Sequence, residues 1–332
     1  MDLILRKLFD GERLGAGEAR DLAGRVLGGA LEPVQTAAAL AALRVRGEAP
    51  AEIGGFARAL EEAARPLPGG DAPRIAVAGA GGAGAAGAAL RVGAACLLSA
   101  LGVAAVLQDG PGGEAALVAA LGADADAPAD ASARHLKAGG PAFAAAGRHH
   151  PALAPLAALR RGLGLRTILD LAAPLTDPAA SPLRLLGVAE PALMDRLAEA
   201  LLAMEVDRAF VVCGDGLAAL SPAGPSQILA VEGGGLRPLE VDPVALGLEA
   251  GPARELDSGS AAENAARLRA VLAGEDRGPW ARAVALNAAA GLVLAGIEDD
   301  WAAACRRALA ALAGGEAAAC LARWTAPPDA KP

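Results

Sequence analysis

The sequence has 332 residues, 54% of them hydrophobic but only 2% aromatic and none of them tyrosine, so its core must pack from small aliphatic side chains. A formal charge of −8 and the shortage of stacking rings argue against a nucleic-acid surface, which wants a basic stripe and aromatic faces. No apolar run reaches the ~20 residues of a membrane span, and the opening "MDLILRKLFDGERL" carries charges inside its apolar stretch, unlike a signal peptide. Residues 1–65 read as a bundle of short helices, because Leu22, Ala23, Val26 and Leu27, then Ala39, Leu40 and Leu43, recur near a 3.6-residue period. Glu48 and Glu52 flank Pro50, which suits a helix start. The Pro/Gly-rich stretch 65–74, "RPLPGGDAPR", reads as a linker.

Beyond the linker the texture changes. "RIAVAGAG" predicts a strand and a turn, "AALRVGAACLLSALG" a helix, "VAAVLQDG" a second strand and turn, and "EAALVAALGA" a second helix. "DRAFVVCGDG" predicts a strand ending in a glycine turn, and "SQILAVEGGGLRPLEVDP" a hairpin. Helices follow at 263–272, 279–294 and 299–312. The expected class is α/β: a small helical N-terminal domain (1–66) and a larger α/β domain (74–326) with a mainly parallel central sheet flanked by helices. Turns 79–84, 108–113 and 213–217 are then expected on one rim, at the carboxyl ends of strands, where such sheets bind ligands. Cys96, Cys213, Cys305 and Cys320 lie far apart with no CxxC, the pattern of buried free thiols in a reducing compartment.

The first turn sits in "IAVAGAGGAGAAGAALRVGAA" (75–95). Strand, glycine turn and helix supply backbone amides and a helix N-terminus, both attractive to anions. Without Gly-Lys-Ser/Thr it is no P-loop. Gly79, Gly81 and Gly84 fit G-x-G-x-x-G, but no carboxylate stands near Ser99, where a ribose-binding acid would fall. A tight turn made for close packing accounts for these glycines equally well.

Four further blocks stand in a fixed order. "QTAAALAALRVRGEAPAEIGGFARAL" (35–60) carries Q-x-x-A-x-L-x-A-L-R-x-x-G-E, and "HPALAPLAALRRGLGLRTILDLAAPLTDPA" (150–179) carries H-P-A, R-R-x-L-G-x-R-T and P-L-T-x-P. "ENAARLRAVLAGE" (263–275) and "AVALNAAAGLVLAG" (283–296) follow. Together they resemble the anthranilate phosphoribosyltransferase family, one of the nucleoside-phosphorylase-like transferases, over nearly the whole chain. The resemblance implies a helical N-terminal domain, an α/β domain with a hinge or helical excursion near 150–180, and a cytoplasmic homodimer joined through its N-terminal helices. It implies transfer of phosphoribose from phosphoribosyl pyrophosphate (PRPP) to the amine of anthranilate, related to tryptophan biosynthesis. In that chemistry two Mg²⁺ ions and hydrogen-bond donors stabilise the leaving pyrophosphate, and no nucleophilic side chain is needed.

The chain departs from the family at all three turns. Where the family reads G-T-G-G-D-G and then N-I-S-T, this chain has Ala80 and Ala83 for Thr and Asp, and Ala89, Leu90, Arg91 and Val92 for the second motif. Arg91 stands where a Ser helps hold one Mg²⁺, and its charge either binds a phosphate directly or repels the metal. K-H-G-N-R becomes Gln108, Asp109, Gly110, Pro111 and Gly112, without the cationic Lys. G-L-D-E becomes Gly216, Leu217, Ala218 and Ala219, so the acidic pair that holds the second Mg²⁺ is gone. Each lost charged contact costs ~1.5–3 kcal/mol, and four or five sum to roughly 6–15 kcal/mol if taken as independent. The acceptor side is better kept. Arg160 matches the arginine that contacts the anthranilate carboxylate, and His150 matches H-P-A as a helix-start residue near the site. Asp170 and Asp177 replace two family asparagines.

The expectation is therefore a degenerate member, leaning away from catalysis as a pseudoenzyme, with no catalytic side chain and no metal. It keeps a small-anion or aromatic-carboxylate cleft built from Gly79, Gly81, Gly82, Arg91, Gly110, His150 and Arg160. One alternative is an active phosphoribosyl or glycosyl transferase with a rebuilt donor site. Another is a nucleic-acid-binding branch of the family, drawing on Arg44, Arg46, Arg160, Arg161 and Arg166.

Overall fold

The computed structural model describes residues 3–70, 73–82, 84–110, 112–251, 253–256 and 259–326; Ala83 and Pro111, in two of the turns named above, lie outside them. Four helices come first: α1 (Leu3–Phe9), α2 (Ala16–Leu27), α3 (Pro33–Arg46) and α4 (Pro50–Glu62). Their buried faces follow the helical period, with Ala19, Leu22, Ala23 and Val26 on α2 and Thr36, Ala39, Leu40 and Leu43 on α3. Glu52, fully buried, accepts from the Ala49 and Leu14 amides at 2.8 Å each. One carboxylate thus caps α4 and pins the segment before α2.

The sheet has seven strands, in the order β3-β2-β1-β4-β5-β6-β7. They are β1 (Arg74–Ala80), β2 (Ala104–Gln108), β3 (Ala142–Ala144), β4 (Leu183–Val188), β5 (Arg208–Cys213), β6 (Ser226–Glu232) and β7 (Gly235–Val241). The first five run parallel, and β6 and β7 form the expected antiparallel hairpin on one edge. Helices α5 (Ala85–Ala100), α6 (Glu114–Ala120) and α7 (Ala129–Lys137) link β1, β2 and β3. Three short helices, α8 (Ala146–His149), α9 (Ala157–Leu163) and α10 (Ile168–Ala172), with two 3₁₀ turns, fill the stretch before β4. The rest are α11 (Met194–Ala203), α12 (Ala261–Leu272), α13 (Pro279–Leu294), α14 (Trp301–Ala313) and α15 (Glu316–Thr325).

Alternate residues of the buried strands enter different cores, as the period of two requires. Val77, Leu185 and Val212 join a core built with α5 and α12–α15. Ala78, Leu186 and Val211 join a second core with α10, α11 and the N-terminal helices, including Leu40, Ile53 and Phe56. The helical bundle therefore shares its interior with one face of the sheet. The linker is docked as well: Leu67 is buried and its amide donates to the Pro178 carbonyl at 2.8 Å. Strand order reverses between β1, which leads on to β2 and β3, and β4 on its other side. That switch point lies at the carboxyl ends of β1 and β4, the usual ligand seat of such sheets.

Candidate functional site at the switch point

Gly79 on β1 pairs in register with Gly187 on β4, so both turn a bare Cα to the same face at the switch point. Both spaces are taken. A Cβ on Gly79 would overlap the Arg91 guanidinium, and one on Gly187 would overlap the Ala218 carbonyl. Arg91 Nη1 donates to that same Ala218 oxygen at 3.0 Å, and Nη2 donates to Glu114 Oε1. Arg91 is 4% exposed and Glu114 1%. The cavity left beside them is about 10 Å³, room for one water at most. Arg91 thus does not face an open rim with a free charge, as the sequence suggested. The bare surface of Gly79 gives it a slot inside, where Glu114 neutralises it. Gly79 itself belongs to the strand and not to the turn.

The three turns do gather on one rim, since Arg91 of α5 bridges Glu114, just after the second turn, to Ala218, just after the third. The first turn offers backbone only. Gly81 and Gly82 hold φ of +81° and +78°, and α5 begins at Gly84 with no side-chain cap. In the second turn, burial raises the Asp109 carboxyl above the ordinary range; the nearby Glu114 charge adds to this, against the Ala146 and Gly110 amides. Gly110 lies beside Glu114 Oε2, which has no hydrogen-bond partner among the described residues. The third turn is locked shut. Asn287 of α13 accepts from the Leu220 amide at 2.8 Å and donates to its carbonyl at 2.9 Å. Ala218 and Ala219 are buried, while Asp215 points to solvent.

The residues expected on the acceptor side lie in the segment of short helices packed between the N-terminal helices and the sheet. His150 Nε2 meets Thr176 Oγ1 at 3.0 Å, and Gln108 at the end of β2 donates to the Thr176 carbonyl. Burial, with the neighbouring His149, holds His150 down to about 4, so it is neutral above that pH. Arg160 on α9 donates to Asp170 Oδ1, and Asp170 Oδ2 accepts from the Thr167 amide at 2.8 Å and hydroxyl at 2.9 Å. Arg166 pairs with buried Glu48 at 3.2 Å, Arg184 with Glu61 at 2.9 Å, and Arg46 with Glu52. Asp177 turns inward and accepts from the Ala179 and Ser181 amides.

Glu114, Gly187, Thr176 and Asn287 are the site residues that sequence reading passes over. One signal pointed to Glu114: an arginine in the middle of the apolar helix α5 needs a buried counter-charge, and Glu114 opens the next helix.

The chain matches the family model described as "Glycosyl transferase family, a/b domain" over residues 72–318, and the helical bundle domain of the same family over residues 3–64. It is 37% identical to the anthranilate phosphoribosyltransferase of Aeropyrum pernix over 325 residues, covering 96% of this chain and 94% of that one. It is also 37% identical to the enzyme of Thermus thermophilus, covering 98% and 99%. The crystal structure of the Thermus thermophilus enzyme superposes with a TM-score of 0.88 at 35% identity, over 98% of each chain. The Saccharomyces cerevisiae enzyme in complex with PRPP and Mg superposes at 0.84 but only 22% identity, over 96% of this chain and 95% of that one, a likeness of fold alone. Matched in both its parts and covered almost from end to end, the chain belongs to the glycosyl transferase family, within its anthranilate phosphoribosyltransferase group.

Proposed function

We propose that the chain is a transferase of the anthranilate phosphoribosyltransferase type with a rebuilt donor site, one that does not grip PRPP through two magnesium ions. Its relatives at 35–37% identity are named as enzymes, which supports transfer and gives no support to lost catalysis. The observation that carries the donor-site half is the Arg91 guanidinium and Ala218 carbonyl lying over Gly79 and Gly187. The residues there do not fit a magnesium pair. Ala218 and Ala219 bring no side-chain oxygen, Glu114 is engaged by Arg91, and burial raises the Asp109 carboxyl, which disfavours its charged form. Among the described residues no group of three or more His, Cys, Asp or Glu side chains is placed to hold a metal ion. What remains for a donor is the backbone of Gly81 and Gly82 with the start of α5, suited to one small anion. The acceptor arm is Arg160, and the chemistry is positioning with no nucleophilic side chain.

A second reading, a scaffold without transferase activity, is favoured by the ion pair being satisfied from within. Calorimetric titration with PRPP and Mg²⁺, followed by a transfer assay with anthranilate and its carboxamide, tests both. The expected result is no metal-dependent PRPP binding; tight, metal-dependent binding would overturn the donor-site proposal. Phosphoribosyl transfer to either anthranilate or its carboxamide, despite that weak binding, selects the first reading over the second.

The proposed setting is a cytoplasmic homodimer. Exposed Leu3 and Phe9 on α1 and Val34 and Val45 on α3 support an N-terminal interface, which sedimentation of the full chain checks. Nucleic acid is disfavoured because Arg46, Arg160 and Arg166 are each paired with a carboxylate. A gel shift with single-stranded DNA at ~50 mM salt tests that, and no shift is expected.

A further inference from the structure

Asp170 has two oxygens and both are committed. Oδ2 closes the first turn of α10 by accepting from the Thr167 amide and hydroxyl. Oδ1 receives the Arg160 guanidinium, which reaches across from the end of α9. The side chains of Arg160 and Asp170 are 30% and 35% exposed, so the pair meets solvent and is not an interior strut. A guanidinium recognises a carboxylate through a planar fork of donors. Here a carboxylate of the chain itself already takes one donor of that fork, Nη2, and the capping bonds hold it in place. A ligand carboxylate approaching Arg160 has to displace Asp170 or come up against its negative charge. The arginines that follow it in the chain give no substitute: Arg166 and Arg184 are engaged by Glu48 and Glu61, and Arg161, next along α9, points to solvent.

We propose that Asp170 is a specificity determinant that occupies Arg160 and selects an uncharged aromatic amine over one carrying a carboxylate. This rests on the reading of Arg160 as the acceptor arm. The acceptor class is then a neutral arylamine, such as a carboxamide, and anthranilate itself is a poor ligand. Asp170→Asn keeps an oxygen for the Thr167 bonds and removes the charge, so it frees Arg160 without undoing the cap. Arg160→Gln does the opposite and leaves Asp170 alone as a negative group.

The test is calorimetric titration of the full-length protein with anthranilate and with anthranilamide. Wild type binds the amide at least as tightly as the acid. Asp170→Asn moves the ratio of the two affinities toward the acid by about tenfold or more, and Arg160→Gln moves it further toward the amide. Binding with an unchanged ratio in Asp170→Asn, or a shift in the same direction in both variants, overturns the proposal and leaves the acceptor-arm reading standing. Failure of folded wild type and folded Asp170→Asn to bind either compound overturns both.

Discussion

Replacing Arg91 with Met removes the charge while nearly keeping the volume, so the cost comes from electrostatics and not from a void. Glu114, 1% exposed, would be left as a buried carboxylate without its cation, and the Ala218 carbonyl would lose its donor. Breaking one partner of a buried ion pair costs about 3–5 kcal/mol, a large part of the ~5–15 kcal/mol that keeps a protein folded. For a chain of this size that corresponds to a fall in thermal midpoint of roughly 4–7 °C. Glu114→Gln keeps an oxygen near Arg91 Nη2 and costs less. The double variant Arg91→Met, Glu114→Gln recovers much of the loss, because an apolar side chain beside a neutral amide has no stranded charge. A double-mutant cycle from thermal or urea unfolding measures the coupling, expected at ~2–3 kcal/mol in favour of the pair. If Arg91→Met lies within about 1 kcal/mol of wild type, or the double variant is as unstable as the two single losses added together, then the pair is not the buried, mutually dependent unit described above.

Gly187→Ala places a methyl where the Ala218 carbonyl sits, so the third turn must leave its seat; faster amide exchange at residues 214–221 than in wild type is the expected signature, and unchanged protection there would contradict it. His150 falls to about 4 in the folded chain from an ordinary value near 6.5, so the folded state takes up fewer protons between those limits. Its contribution is therefore complete above pH ~6.5 and is lost as pH falls toward 4, by an amount on the order of 3 kcal/mol. His150→Gln should flatten that part of the stability profile relative to wild type, and identical profiles would rule the effect out. Saturating Mg²⁺ or a chelator is expected to leave the thermal midpoint unchanged, whereas a ligand-linked rise on adding Mg²⁺ would point to a metal site.

The periodic parts of the fold were legible in the sequence. The N-terminal helices, the β6–β7 hairpin and α13 follow directly from spacing and turn residues. Strand β4 and helix α11 were not: "LRLLGV" is buried on both faces and shows no alternation, and α11 follows it without a distinctive cap. At the site, the absence of polar side chains from the turns could be read residue by residue, but the partners of the residues that stand there could not. Whether Arg91 faces a ligand or the interior depends on Gly79 standing opposite Gly187, and that register is a property of the folded sheet. The pairing of Arg160 with Asp170, ten residues on, depends likewise on how two short helices meet.

The interlock of Arg91, Glu114 and the Ala218 carbonyl also bears on how such a protein changes over generations. Placing a serine at position 91, or an acid at position 218, does not by itself build a metal site. The first step strands Glu114, and the second brings a negative side chain to a turn already packed over Gly187. Each such single change therefore passes through a less stable protein, while drift at the exposed residues around the rim carries no such penalty. Selection on folding alone would hold this arrangement in place long after any demand on its ligand had changed.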